Sequence, residues 1–400
     1  MPTAPQKTNE ERPCVLLALG WYSHAIHRGI ARYARKAGWI IDASMARNGR
    51  IPQSRQFDGV ISLLNEDATL REFVAGYHKP TVNIGDRTLP GIPTVNCDDE
   101  AIGRMAAEHF ITRGFRHAAF FLHSGTPSAL IRMRSFQKTM TAAGASFSRI
   151  DASVLTPKTG SEYDEHELMH KLGETLMQLP RPLAVFSEYD EIAIEVLYAC
   201  HKRQIPVPEQ VAVLGVDNDP LYCDFAPIPL SSVDNNQEAE GYHAAALLDQ
   251  LLQDKKVSRR KVKIAPLGVA TRLSTEILAV DHPHVAAALH NIWQNFTKPI
   301  NAKTVAATVP ISYRRLHDAF KDSLGRTLAE EITLKRLEKA QQLLLDTQLR
   351  AHEIAEQCGF PSEDRMGRVF RRILNQTPLE FRKARSLCQK EKMRRCNTRR

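Results

Sequence analysis

Between Cys14 and Asn236, short apolar runs alternate with segments of helical period, and few folds accept that pattern. CVLLALG (14–20) is a continuous apolar run of the kind buried on both faces of a sheet, and it leads into HAIHRGIARYARKAG (24–38). In that segment Ile26, Ile30, Tyr33 and Ala34 recur at helical spacing, and Gly38 supplies a stop. WIIDAS, FDGVISLL and PTVNIG follow at intervals typical of βα units, before the helix DDEAIGRMAAEHFITRG. HAAFFLH (117–123) opens a second series. It continues through a helix near 128–144, LAVFSEYD, the helix IAIEVLYACHKR, VAVLGVDND and LSSVDNN. The alternation predicts parallel sheets with helices on both faces, and about ten strands suit two such sheets better than one.

Charge divides the chain differently. Residues 285–400 hold 23 Lys and Arg against 12 Asp and Glu, a net charge of +11, while residues 1–284 come to −2. A small basic part on a near-neutral larger one points to a polyanionic partner, most commonly nucleic acid. A membrane surface is disfavoured, because the basic segment lacks an exposed aromatic face and no apolar run approaches the ~18 residues of a span. The first residues, MPTAPQKTNEERP, have no apolar signal core and are expected to form a disordered arm over 1–12. Seven dispersed cysteines without a Cys-x-x-Cys pair predict neither zinc nor a disulfide framework, and they fit a reducing cytoplasm. No cofactor, no metal and no catalytic residue are expected.

In open parallel sheets, ligands bind beyond the carboxyl ends of the strands. The polar residues there are Trp21 and Tyr22 after the first strand, Asp86 after PTVNIG, Glu188, Tyr189 and Asp190 after LAVF, and Asp217 after VAVLGV. Aromatic faces cover the C–H face of a sugar, and carboxylates accept paired hydrogen bonds from neighbouring hydroxyls. Each position also has a plainer use: an Asp after a strand caps the next helix, and Trp21 can be core.

The last 110 residues contain a repeat. Ser312, Leu316, Phe320, Leu324, Gly325, Thr327 and Leu328 match Ser362, Met366, Phe370, Leu374, Asn375, Thr377 and Pro378, each displaced by 50. Ser is a good N-cap, and apolar residues four apart line one helix face. HEIAEQCGFP precedes the second copy as a short helix and turn stopped at Gly359, and TVAATVPIS precedes the first. Two helix-turn-helix units follow, with the helix 328–346 between them. In the second copy Met366, Val369, Phe370 and Ile373 are predicted to face inward, with Asp364, Arg368, Arg371 and Arg372 opposite and Arg365 at the flank. In the first, Leu316, Ala319, Phe320 and Ser323 are predicted inward, with Arg314, Arg315, Asp318 and Lys321 outward or flanking. Arginines on an outward face reach phosphates or guanine edges in a major groove. Gly367 weakens that helix, and its missing side chain would let DNA approach the backbone closely.

These motifs carry a family resemblance. Residues 13–275 resemble the periplasmic-binding-protein-like sensor of LacI/GalR-type repressors, through VAVLGVDND, PLSSVDNN and the closing segment PLGVATRLST. The resemblance implies sugar-gripping roles for Arg132 in IRMRSF and for Asp217, and it places Tyr189-Asp190 where many members carry Asn-Asp. IAEQCGFPSEDRMGRVFRRILNQTPLEFRK resembles the AraC/XylS-type signature, with Met366 in place of an aromatic and Asn375 in place of Gly. The sensor-first order is similar to that of bacterial xylose-operon regulators. The implied organisation is an arm (1–12), a two-lobed α/β sensor (13–275), a linker (276–286), an all-α double helix-turn-helix reader (287–385) and a basic tail (386–400). The implied function is a sugar-responsive, dimeric, cytoplasmic DNA-binding regulator that activates pentose genes. Its implied partners are D-xylose, two successive major grooves of duplex DNA, and RNA polymerase. The residues alone leave two alternatives open. One is a sugar- or nucleotide-acting enzyme, which the absence of GxxxxGK[ST], nucleophile-elbow and zinc-ligand motifs opposes. The other is a sugar-binding module whose C-terminal bundle contacts a protein.

Overall fold

Apolar runs that must be buried on both faces can only pair with one another, and they do so in two separate sheets. A computed structural model describes residues 12–52, 56–156, 164–255, 261–276, 282–347 and 349–382. The first sheet holds β1 (Cys14–Leu19), β2 (Ile40–Asp42), β3 (Gly59–Leu63), β4 (Thr81–Ile84), β5 (Thr94–Cys97) and, from later in the chain, β11 (Lys261–Ile264). Its order is β11-β5-β4-β3-β1-β2, parallel throughout. The second sheet holds β6 (His117–Leu122), β7 (Ser146–Asp151), β8 (Leu183–Ser187), β9 (Val211–Val216), β10 (Ser231–Asp234) and β12 (Gly268–Ala270). Its order is β12-β10-β9-β8-β6-β7, with only β12 antiparallel. These are the two parallel-sheet lobes that the alternation predicts.

Four strands, β5, β7, β11 and β12, were not singled out from the sequence. β7, β11 and β12 are edge strands and β5 lies next to one, so half-exposed residues dilute the apolar signal, as along β7, where only Ile150 is buried. The chain passes between the lobes through helix Asp99–Ile111, through helix Gln237–Leu252, and again between β11 and β12. The second of these helices lies against helix His24–Ala37 with almost no space between their backbones. A Cβ on Gly29 would sit 2.0 Å from the Glu238 carbonyl oxygen, and one on Gly241 would sit 2.1 Å from that of Ile26. Glycine inside a helix costs about 1 kcal/mol relative to alanine, so the close crossing offsets that cost at both positions. Arg28 and Arg32 pair with Glu238 at 2.9 and 2.7 Å beside it.

A second compact unit begins at Glu276, the first ending at Thr275. It is all helical, over Pro283–Asn295, Ala302–Ala306, Tyr313–Leu324, Leu328–Asp346, Ala351–Gln357 and Glu363–Leu374. Ser312 and Ser362 cap the two equivalent helices, each accepting from the backbone N–H three residues on. Gly325 and Asn375 end them at φ 66° and 54°, so Asn375 supplies the left-handed stop expected of it. Leu316 and Phe320 are buried in one copy, and Met366, Val369 and Phe370 in the other. Three predicted inward residues are not buried: Ala319 is half-buried, Ser323 is exposed and Ile373 is 39% exposed. The buried stripe advances four residues at a time, so Leu374 rather than Ile373 packs against the core of the second copy. A capping box, Thr327 with Glu330, starts the intervening helix, and Thr377 with Glu380 repeats it after the second copy.

The arm's residues 1–11, linker residues 277–281 and the tail 386–400 lie outside the described residues. Among the described residues no helix is long and apolar enough to cross a membrane.

Gly241→Ala is expected to destabilise the sensor by about 1–3 kcal/mol, because a helix backbone rather than a flexible side chain stands in the way. Urea denaturation followed by circular dichroism checks this.

Candidate functional site

The carboxyl ends of both sheets open onto one cleft of about 430 Å³, within the usual range of small-ligand sites, ~300–1,000 Å³. Trp21, Tyr22, Asp86, Arg132, Tyr189, Asp190 and Asp217 all line it. Glu188 does not. Its carboxylate takes the backbone N–H groups of His123, Ser124 and Gly125 and the Ser124 hydroxyl, so it braces the loop after β6.

Arg132 is the cleft's buried cation. It sits inside helix Pro127–Ala142, where Nε donates to Asp99 Oδ1 at 2.7 Å and Nη1 donates to the Glu188 carbonyl at 2.8 Å. The Tyr189 ring lies 5.3 Å from its guanidinium carbon, and the Tyr189 hydroxyl contacts Thr126 Oγ1 at 3.2 Å. Burial, the largest single influence, works against the charge of Arg132, but Asp99, Tyr189 and Asp217 together outweigh it, so the guanidinium stays protonated. Asp217 follows β9 with φ 111°, and Asn218 next to it has φ 52°. Non-glycine residues adopt such backbone rarely, and they do so where the surroundings enforce it. Here Asn235 Nδ2 and Gln237 Nε2 both donate to Asp217 Oδ1, at 2.6 and 3.0 Å.

Asp190 begins helix Asp190–Lys202, and its Oδ2 accepts from the Asp219 N–H at 2.9 Å. Its Oδ1 is buried without a partner and occupies the space where Gly215 lacks a side chain, 2.2 Å from where a Cβ would stand. Buried oxygens of Asn96 and Asn235, which also line the cleft, have no partner either. Burial raises Asp190 well above the ordinary carboxylate range, and the charge of Asp217 adds to the rise. Burial also raises Asp217, against the pull of Arg132 and of its two amide donors. Glu240, from helix Gln237–Leu252, is pushed by burial up to about 8. On the other side Trp21 and Tyr22 remain 45% and 37% exposed, so Trp21 is not core. Asp86 accepts from the backbone N–H of Ser128, which joins the first lobe directly to the second. The arrangement is rich in acceptors, carries one fixed cation and has aromatic faces at the rim, which suits an uncharged ligand with many hydroxyl donors.

Five contributors were missed in the sequence: Asp99, Asn65, Asn235, Gln237 and Glu240. Asn65, Asn235 and Gln237 follow strand ends, so the rule that found Asp217 reaches them too. Asp99 went unnoticed because β5 before it did. Glu240 lies within a helix and has no local signal.

A separate depression of about 660 Å³ over Leu197, Ile205, Val207 and Ile228 has no such convergence of polar groups.

In the second unit, Arg314, Arg315, Lys321, Asp364, Arg365, Arg368, Arg371 and Arg372 are all exposed. Among the described residues the seven basic ones form no ion pair, which leaves their charge to solvent. Gly367 also faces open space, since a Cβ there would meet nothing within 4 Å.

Comparison with known proteins fits this division. Residues 107–275 match the periplasmic binding protein-like domain, and residues 305–384 match a helix-turn-helix domain. The chain is 29% identical to the xylose operon regulatory protein of Escherichia coli K12 over 373 residues, 90% of this chain and 94% of that one. It is 28% identical to the protein of the same description from Haemophilus influenzae, over 90% and 95% of the two chains. The solved structure of the xylose-binding transcription activator XylR matches with a TM-score of 0.67 and 27% identity, covering 94% of this chain and 98% of that one.

The chain is a two-module transcription regulator. Its sensor is of the periplasmic-binding type, its reader contains a helix-turn-helix domain, and its relatives are regulators. The regulator is therefore a sugar-responsive DNA-binding protein.

The raised acids give its sensor a pH signature. Unfolded, Glu240 ionises near the ordinary glutamate value of 4.5, whereas folded it keeps its proton up to about 8. The unfolded state therefore releases a proton that the folded state holds, and stability falls as pH rises across that interval and levels off above it. Glu240→Gln is expected to flatten this decline, measured as melting temperature between about pH 5 and 8.

Proposed function

We propose that this is a cytoplasmic activator whose effector is a neutral sugar, with D-xylose the first candidate, bound between the lobes of residues 13–275. In this reading Trp21 and Tyr22 cover the apolar face of the sugar. Arg132, Asp86, Tyr189, Asp190 and Asp217 take its hydroxyls. The observation that carries it is the convergence of Arg132, Asp190 and Asp217 with unpartnered buried oxygens in one cleft, in a chain similar over 90% of its length to a xylose operon regulator.

The reader over 287–385, joined by the linker 276–286 and followed by the basic tail 386–400, places its two capped helices in successive major grooves. One helical turn of DNA separates those grooves, a spacing of ~34 Å. Arg314, Arg315 and Lys321 serve one groove. Arg365, Arg368, Arg371 and Arg372, with Asp364 at the helix start, serve the other. A homodimer presents two readers. Sugar activates by favouring the closed sensor, whose dimer matches the DNA, and RNA polymerase is the partner that the bound dimer recruits.

Titration calorimetry with pentoses and hexoses tests the sensor. D-xylose should bind, and Asp217→Ala should abolish binding of the true effector while leaving sugar-free DNA affinity unchanged. Normal effector affinity in Asp217→Ala would overturn the placement of the site. For the reader, log affinity for duplex DNA should fall steeply and linearly with log salt, and a flat response removes the DNA-binding reading.

Gly367→Ala should stabilise the reader by about 1 kcal/mol, because the added methyl meets nothing and helix propensity improves. It should also weaken DNA binding, through the methyl standing between backbone and DNA. Unchanged DNA affinity in a stabilised variant would show that the glycine is merely tolerated.

A further inference from the structure

Helix Asp99–Ile111 has one end in the sugar cleft and the other at the point where the sensor ends. At its start Asp99, which lines the cleft, holds Arg132 at 2.7 Å. Four residues on, Gly103 lies so close to helix Pro127–Ala142 that a Cβ would stand 2.3 Å from the Arg132 carbonyl oxygen. The two helices therefore cannot slide past each other without separating. About 18 Å from Asp99, at a rise of about 1.5 Å per residue, the helix ends beside Thr275.

That end is a dense set of bonds on the last residue of the first compact unit. His109 Nε2 and Thr275 Oγ1 are 2.8 Å apart, and Thr275 Oγ1 donates to Ser231 Oγ at 2.7 Å. Arg113 Nε donates to the Thr275 carbonyl at 3.1 Å, and Arg113 Nη1 donates back to the His109 carbonyl. Ser274 Oγ donates to the Val213 carbonyl at 2.6 Å and accepts from the Ser231 N–H at 2.8 Å. Thr275 and Ser274 are both fully buried. Every one of these partners belongs to the second lobe or to the crossing helix packed on it.

We infer that His109 and Arg113 are positioning residues for the regulatory response: they fasten Thr275 to the helix that carries Asp99, so that sugar-driven movement of the second lobe is delivered to the chain leading into the reader. Among the described residues, the hydrogen bonds given above tie this exit to the second lobe and its crossing helix. Movement of the second lobe relative to the first, which changes the contact of Asp86 with Ser128 across the cleft, therefore takes Thr275 with it. Coupling in this scheme travels through one helix with ends in two places, not through general loosening of the sensor. The inference rests on effector-dependent DNA binding as proposed above.

The test uses the full chain, D-xylose as effector, and a duplex selected from a random pool by the wild-type protein in the presence of D-xylose. Thr275→Val keeps the shape and deletes the hydroxyl that meets His109 and Ser231, and Thr275→Ser keeps the hydroxyl. In the wild type D-xylose should tighten DNA binding by about tenfold or more, within the ~5–150-fold common for coupled sites. In Thr275→Val and Arg113→Met the effect should drop below about twofold, with D-xylose affinity by calorimetry and sugar-free DNA affinity each unchanged. Thr275→Ser should restore it. A folded Thr275→Val protein, judged by melting temperature and by D-xylose binding, that responds as the wild type does would overturn the inference. If Thr275→Val does not fold, Arg113→Met decides in its place. Absence of any D-xylose effect in the wild type would instead count against the proposed effector.

Discussion

The sensor is organised around one buried positive charge. A guanidinium removed from water is costly unless it is paired and its N–H groups are used, and Arg132 meets both conditions through Asp99 and the Glu188 carbonyl. Those two partners come from different elements, so the charge fixes the start of one crossing helix and the end of β8 together. Glu188 is then held by the loop after β6, and Tyr189 lies over the guanidinium. Asp190, Asp217 and Glu240 are themselves buried, and it is burial first of all that makes them reluctant to ionise. The cleft that results contains acceptors and weak acids in excess, ready for hydroxyl hydrogens.

How much of this could be read in the residues depends on how local each signal is. Long apolar runs such as CVLLAL and VAVLGV announce buried strands by themselves, and the polar residues just beyond them mark the cleft because the strand direction fixes where their side chains emerge. Arg132 was reachable only by resemblance, since nothing about a mid-helix arginine indicates that its neighbours bury it. Glu188 reads from sequence like its neighbours Tyr189 and Asp190, yet both of its oxygens are spent on the loop after β6. Pairs such as Gly29 with Gly241 are more than 200 residues apart in the chain, and only the fold reveals that each leaves room for the other's backbone.

The reader was more legible because it states its design twice. Two copies of one pattern separate what packing requires, which recurs as apolar positions, from what recognition requires, which recurs as exposed charge. Apart from half-buried Ala319, the errors were confined to the last turn of each helix, where Ser323 and Ile373 turn away from the core. A helix can lose its buried face over its final residues once the neighbour beneath it ends, and periodicity alone does not show where that happens.

Gly359 closes the turn before the second of these helices at φ 75°, and a Cβ there would lie 2.6 Å from the carbonyl oxygens of both Phe296 and Thr297. The second helix-turn-helix is thus seated on the segment that leads into the first, while Arg336 of the long central helix donates to the Phe296 and Lys298 carbonyls of that same segment. The two units consequently behave as the jaws of a fixed caliper and not as beads on a string. On the proposed reading, in which each unit enters one major groove, a caliper measures phase: half a helical turn of DNA inserted between the two contacted segments turns one of them to the far side of the duplex, out of reach of a reader braced in this way.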